Sequence, residues 1–498
     1  MQLSRADRQI SDWLLILTFV TCAYFYAGAG WNQNAQFDLA RAIVEGHTMA
    51  IDRIIANTGD ISRHLGHVYA NKAPGLSLLG AVPYALLHAV ERGRFDPSDA
   101  MMLAINCYLC TLATVGLLAS FVPYVLYREL RRQGLEARWA VVVSLATALG
   151  TLLLPYATMF VAQVPSAALM FLAFVAAKRD DTRWRLLAGI AAGMAGMTNY
   201  LCVPAAVIIA ILGSVRSRWR LGAFLEIAAG GAPFAIALAI YQKTCCGGFF
   251  TTPISTMDPR FVTKGAFLGI FRMPTLDALY GITLSPYRGL FFFAPVLVMA
   301  IGGMLVWWRS GESRADLVAI LAISALFFVA NAAFNNWEGG FGVGARYLVP
   351  LIPLWGLAMG RCRGWQKPLL VALAALSFAI NLTATAVDPQ PSGTIPRPLT
   401  QYLVPLLVRG HFPADVPITP PWSAATFTGH TSVNRFTHDE PVVFFRHPPG
   451  SLPAEWASFN LGEPFFGAGD ARSLIPIAAI LAIGVAAILT TARRAERG

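Results

Sequence analysis

Charge is scarce in this sequence. Of its 498 residues only 13% are Asp, Glu, Lys or Arg, against roughly 25% in a typical soluble domain. That excludes a soluble enzyme and a disordered chain, since both need a solvated surface of charge. Cysteine is scarce as well: seven, scattered along the chain, too few for a disulfide scaffold. Cys22, Cys107, Cys110 and Cys202 lie in apolar runs and Cys362 in a basic loop, while the adjacent Cys245 and Cys246 are badly placed to bridge each other. No His, Cys, Asp or Glu cluster has the spacing of metal ligands. There is no internal repeat. There is also no basic domain to match the net charge of +11, which argues against nucleic acid as a partner. No cleavage site of small residues follows a short apolar core at the N-terminus, so residues 13–30 read as a retained first span and not a signal peptide.

Apolar runs are abundant. Hydrophobic residues make up 56% of the chain and the mean hydropathy is +0.56. The runs approach the ~20 residues a helix needs to cross a bilayer. Short basic clusters separate them: Arg5 and Arg8; Arg128, Arg131, Arg132 and Arg138; Lys178, Arg179, Arg183 and Arg185; Arg216, Arg218 and Arg220; Arg309 and Arg314; Arg361, Arg363 and Lys367; Arg493, Arg494 and Arg497. Placing every cluster in the cytoplasm predicts an all-α polytopic inner-membrane protein of about twelve transmembrane helices, both termini inside. The path holds only if residues 73–90, apolar but interrupted by Pro74 and Pro83, lie at the outer surface as a helix. Large outer segments then fall at 31–99, 242–287 and 388–472, with a short one at 335–346. Residues 1–387 form the membrane module, its first outer loop 31–99 carrying surface helices. Segment 388–472 reads as a small irregular or β-containing outer piece, held by a final span and tail over 473–498.

The spans carry little ionisable chemistry. Only Glu226 and Asp316 lie inside them, near predicted cytoplasmic ends, whereas Gln163, Asn199, Asn331, Asn335 and Asn381 gather at the outer ends. Charged groups at the midplane mark ion and proton pathways, so their scarcity favours a site at the outer membrane surface. Residues 35–46 show helical spacing of Phe37, Ala40, Ile43 and Val44, with Asp38, Arg41 and Glu45 on the opposite face. That acidic–basic row fits an ordinary ladder of ion pairs as well as a working carboxylate. Further on, Tyr69, Asn71, Lys72, Pro74 and Gly75 precede the surface helix. Lys72 there suits either a snorkelling anchor or a phosphate ligand. Arg288, in Ser285-Pro286-Tyr287-Arg288-Gly289, and Arg346, after the glycine-rich run 339–344, stand at outer span mouths. Arginine offers a planar fork to phosphate, and a glycine-rich loop can present N–H groups to an anion. The alternative is interfacial anchoring.

These residues together resemble the GT-C superfamily of membrane glycosyltransferases, in the branch of the bacterial aminoarabinose transferases and protein mannosyltransferases. Phe37-Asp38-Leu39-Ala40-Arg41 resembles the family's acidic surface helix, and Asn71-Lys72-Ala73-Pro74-Gly75 its lysine-proline motif. The paired runs 186–198 and 199–214 are also similar. Asn32, Gln33 and Asn34 replace the family's acidic pair, and Ala73 replaces one proline. The resemblance implies transfer of a sugar, with inversion, from a polyprenyl-phosphate-linked donor to the hydroxyl of a glycan, lipid or protein acceptor at the outer face. It implies Asp38 as the base, with Asp60 second. Lys72, Arg288 and Arg346 would hold the donor phosphate, and Asn34, Arg41, His67, Tyr69, Asn71 and Glu338 would line the substrate site. No cofactor is indicated, and a divalent cation is left open. The competing readings are a flippase for lipid-linked sugars or another transporter, which would bring broken polar helices near the midplane, and a membrane scaffold.

Overall fold

The computed structural model describes residues 3–28, 30–94, 100–257, 262–410, 458–467 and 470–497. It is mostly helical. Among the described residues, five helices are long and apolar enough to cross a membrane: Met102–Arg132, Leu221–Cys246, Arg314–Ala333, Gln366–Val387 and Ala471–Arg497. Shorter apolar helices cover Gly75–Glu91, Ala137–Leu149, Gln163–Ala177, Cys202–Arg216, Pro295–Ser310 and Arg346–Met359. The chain is an integral membrane protein. All seven cysteines are buried and free. Most of the outer segment 388–472 falls outside the described residues. Its described parts include helix over 399–409, a short strand, Ser458–Asn460, and a helical turn, Glu463–Phe466.

Helix α1 (Arg5–Tyr24) starts at a reciprocal cap, in which the Asp7 amide donates to Ser4 Oγ and the Ser4 amide to Asp7, both at 3.0 Å. Strand β1 (Phe25–Ala27) leaves it and pairs antiparallel with Ser458–Asn460, Phe25 opposite Asn460. The exit of the first helix is thereby tied to the entrance of the last.

Helix α2 spans Trp31–Gly46. The predicted helix is present, but most of the face expected to be wet is covered, and exposure begins only towards Glu45 at its C-terminal end. Every residue from Gln33 to Ala42 is buried, including Asp38 and Arg41. The reason is a second cover: the Phe160 amide donates to Gln33 at 3.0 Å, and Tyr84 of helix α3 (Gly75–Glu91) donates to Glu45 at 2.6 Å. Along α3, Leu78, Val82, Leu86 and Val90 form one exposed apolar stripe while Leu76, Gly80 and Tyr84 are buried.

Between α2 and α3 lies a hairpin that the sequence reading missed, β2 (Ile61–His64) with β3 (His67–Ala70). Its two-residue turn puts Leu65 at φ +49° and Gly66 at +83°, the left-handed pair that matches the twist of a tight hairpin. Close packing then seats α3. A Cβ on Gly75 would come 2.6 Å from the Thr198 amide nitrogen, so only glycine lets the start of α3 touch the end of the helix Thr182–Thr198. That helix packs with equal intimacy on Leu221–Cys246, where a Cβ on Gly189 would meet the Ile227 carbonyl at 1.9 Å.

Candidate functional site

The hairpin folds two distant stretches of sequence together. Asp60 precedes β2 and Asn71 follows β3, so antiparallel pairing sets them side by side, and the Asn71 amide donates to the Asp60 carbonyl at 3.0 Å. Lys72 Nζ lies 3.0 Å from Asp60 Oδ2. The Asp60 amide donates to Thr58 Oγ1 at 3.0 Å, and that hydroxyl donates to the Trp31 carbonyl at 2.8 Å, anchoring the pair to the start of α2. Beside Lys72, Asn71 Oδ1 is buried without a hydrogen-bond partner.

Arg288 is fully buried. The turn that presents it is closed by the Tyr287 amide on Ser285 Oγ at 3.1 Å and the Gly289 amide on the Ser285 carbonyl at 2.7 Å. Its guanidinium stacks on the Tyr287 ring, 4.4 Å from the centroid. It donates through Nη2 to the Gly340 carbonyl at 2.6 Å and through Nη1 to that of Gly342. Nε has no hydrogen-bond partner. The expected role of the glycine-rich loop is therefore reversed towards Arg288: it turns carbonyls, not N–H groups, to the arginine, and uses up most of the fork. Glycines make this conformation available, with φ of +76° at Gly339, +64° at Gly340 and +60° at Gly344. Tyr156 donates to the Val343 carbonyl at 2.8 Å, and the Gly342 amide to that of Pro391 at 3.2 Å, locking the loop from both sides.

Arg346 is looser. Its contacts are the Phe341 carbonyl at 3.3 Å and the Tyr347 hydroxyl at 3.2 Å, and its Nε is buried without a hydrogen-bond partner. Among the described residues neither arginine forms an ion pair. They nevertheless share one field. Arg346 acts on Arg288, both act on Glu338, and Asp60 acts on Arg346. Burial holds the Glu338 carboxyl above the ordinary glutamate range, against the pull of its own backbone amide and both arginines.

The hairpin thus brings Asp60, Asn71 and Lys72 together, the glycine-rich loop brings Arg288 and Arg346 together, and the influence of Asp60 on Arg346 links the two groups. Asp38 is buried 3.6 Å from Arg41, which also holds Glu45 at 2.8 Å, so the ladder read from spacing is real, with its Asp38–Arg41 half buried and Glu45 exposed. Asn34 is buried in α2, its amide on the Gly30 carbonyl at 2.9 Å. His67 sits at the turn end of the hairpin, opposite to the Asp60 end, with Nδ1 2.7 Å from Asp52. Tyr69 belongs to a separate apolar cluster with Tyr241, Cys245 and Cys246. Sequence reasoning missed Tyr156, Tyr287 and Tyr347. The available signal was a tyrosine adjacent to each arginine. Among the described residues, no three His, Cys, Asp or Glu side chains gather as metal ligands would.

No protein-family model matches the chain, and no curated protein matches it in sequence. Among solved structures it is similar to the crystal structure of ArnT from Cupriavidus metallidurans bound to undecaprenyl phosphate, at 15% identity and a TM-score of 0.47, over 97% of this chain and 76% of that one. At that identity and TM-score the likeness transfers neither a residue role nor a reaction.

Proposed function

We propose that this chain is a membrane glycosyltransferase that moves a sugar from a polyprenyl-phosphate-linked donor to an acceptor hydroxyl at the outer membrane face. The observation that carries this reading is a fully buried arginine, Arg288, and a half-buried one, Arg346, without ion-pair partners among the described residues, beside a lysine–carboxylate pair. Buried cations without counter-charges are costly unless a ligand brings the charge, and a phosphate diester is such a ligand. The topology read from the basic loops belongs to the same proposal: about twelve spans, both termini cytoplasmic, α3 lying at the outer surface.

In this reading Arg346 and Lys72 contact the donor phosphate. Arg288 holds the glycine-rich loop in place and offers only its Nε. Asp60, the carboxylate nearest the cations, takes the acceptor proton in preference to the enclosed Asp38. Asn71 Oδ1 and Glu338 are positioned for sugar hydroxyls. The acceptor oxygen attacks the anomeric carbon from the face opposite the phosphate and its proton goes to Asp60. The bond from that carbon to the phosphate oxygen breaks, and the electron pair leaves with the polyprenyl phosphate, inverting the configuration. The charge that develops on the leaving oxygen is what Lys72 and Arg346 stabilise.

The test is to incubate the purified chain in lipid nanodiscs with polyprenyl-phosphate-linked sugars and a membrane-derived acceptor fraction. Release of polyprenyl phosphate, and its loss in Arg346→Ala, are expected. Movement of intact lipid-linked sugar across vesicles, without release, would establish the transporter reading instead.

A further inference from the structure

The Asp60–Lys72 contact creates a conflict within the mechanism just proposed, and the inference rests on that mechanism. A carboxylate oxygen that already accepts from an ammonium group is not free to take up the proton of an acceptor hydroxyl. An ammonium group held by a carboxylate is likewise partly spent towards a phosphate. In the structure the two are joined at 3.0 Å. Each can do its work only after release from the other.

The surroundings show which one moves. Asp60 is held by its backbone at both ends, the amide on Thr58 Oγ1 and the carbonyl under the Asn71 amide, each at 3.0 Å. Lys72 has a flexible four-carbon stem, and its side chain keeps 26% exposure against 17% for Asp60. Two buried groups without hydrogen-bond partners bear on the exchange. Asn71 Oδ1, an acceptor, is the next residue in the chain, and Arg346 Nε, a donor, belongs to the cation that Asp60 already influences. An anion arriving at Arg346 would therefore draw Lys72 away from Asp60.

We infer that Lys72 exchanges the Asp60 carboxylate for the donor phosphate, so that donor binding releases the base and the lipid donor adds before the acceptor. No bond is made or broken in this step; one ammonium group changes its anionic partner. The consequence is protective: without a donor, Asp60 stays neutralised and does not activate a stray hydroxyl or water.

Undecaprenyl phosphate serves as the probe, titrated against the full-length chain in nanodiscs. Asp60 competes with the probe for Lys72, so Asp60→Asn should tighten binding by about fivefold, the upper end for a partly exposed ion pair. Lys72→Gln should weaken it. The decisive measurement is Asp60→Asn in the Lys72→Gln background, where the tightening should vanish. Asp60→Ser, uncharged and smaller, repeats the comparison with a different side chain. Equal tightening in both backgrounds would mean that only net charge matters and would overturn the exchange. So would no tightening in either. Failure of the wild-type chain to bind the probe at all would remove the glycosyltransferase reading itself, a result separable from both.

Discussion

Lys178 and Arg288 are both buried cations, and they are satisfied in opposite ways. Lys178 lies between Glu129 at 2.8 Å and Asp316 at 2.9 Å. Glu129 also takes Arg179 at 2.5 Å, and nearby Glu226 takes Arg185 at 2.5 Å. At this end of the helices, the end with the basic loops, charge meets opposite charge. At the other end Arg288 faces two peptide carbonyls, Arg346 faces a carbonyl and a hydroxyl, and neither has a carboxylate partner among the described residues. Carbonyl dipoles orient a guanidinium without cancelling it. The first arrangement closes a bundle with cancelled charge, and the second leaves the positive charge of both guanidiniums uncancelled.

The largest effect should come from separating the two carboxylates of the first outer loop. If Asp60 accepts the acceptor proton, Asp60→Asn should lower turnover by roughly 10²–10⁴-fold, while Asp38→Asn should leave turnover within a few fold. Asp38 belongs with the neutralised charges, paired to Arg41 under a cover of protein. Turnover measured on both variants decides between them. A loss confined to Asp38→Asn would put the working carboxylate in the buried Asp38–Arg41 pair and undo the contrast.

Next in size is the structural end. Lys178→Met removes the cation that the buried Glu129 and Asp316 share, leaving Glu129 to Arg179 and Asp316 to Arg216 at 3.8 Å. Removing one partner of a buried ion pair costs roughly 3–5 kcal/mol. Thermal unfolding in detergent should show this as a large drop in midpoint, and Lys178→Met combined with Asp316→Asn should recover part of it. A silent Lys178→Met would mean that water reaches this network.

Much of this was legible in the sequence, and the rest was hidden for physical reasons. Arg288 and Arg346 stood out because positive charge beside a span is disfavoured on the outer side. Helix α3 and the paired helices Thr182–Thr198 and Cys202–Arg216 followed from apolar runs and their breaks. The covering of α2 did not. Helical spacing tells which side chains share a face, but not that Tyr84 reaches Glu45 on the polar one or that the Phe160 amide meets Gln33 on the other. The hairpin was masked because Leu65, not asparagine or glycine, takes the first left-handed turn position. Without the hairpin, nothing in one dimension sets Asp60 against Lys72. The engagement of Arg288 by Gly340 and Gly342 is likewise a contact across more than fifty positions.

A smaller and sharper test separates the two arginines. Arg346→Lys keeps the charge and loses the fork. A charge-assisted hydrogen bond contributes about 1.5–3 kcal/mol, so donor use should weaken by roughly 10–100-fold, read as a rise in donor KM. Arg288→Lys removes one of two carbonyl contacts from a fully buried group. Its effect should fall mainly on thermal stability, with donor KM changing less. Equal shifts in donor KM would assign both arginines to the phosphate.

The smallest effect expected is a pH slope. Burial keeps the Glu338 carboxyl above the ordinary glutamate range even though Arg288 and Arg346 act against it. The folded chain therefore holds this proton more tightly than the unfolded chain does. Between the ordinary glutamate pKa and the raised one, the native state binds more protons, so stability falls as pH rises through that window. In Glu338→Gln this contribution is absent, and the midpoint of thermal unfolding should depend less steeply on pH across the same window. The sign distinguishes two roles. A Glu338 that served as the missing counter-charge of Arg288 and Arg346 would be depressed, and its contribution would be lost as pH falls, so the substitution would flatten a slope of the opposite sign. Adding undecaprenyl phosphate sharpens the result. A bound phosphate near Glu338 disfavours its ionised form further, so the wild-type slope should extend to higher pH with the lipid present and stay unchanged in Glu338→Gln. A slope unaffected by the lipid would place Glu338, and with it the two arginines, away from any phosphate.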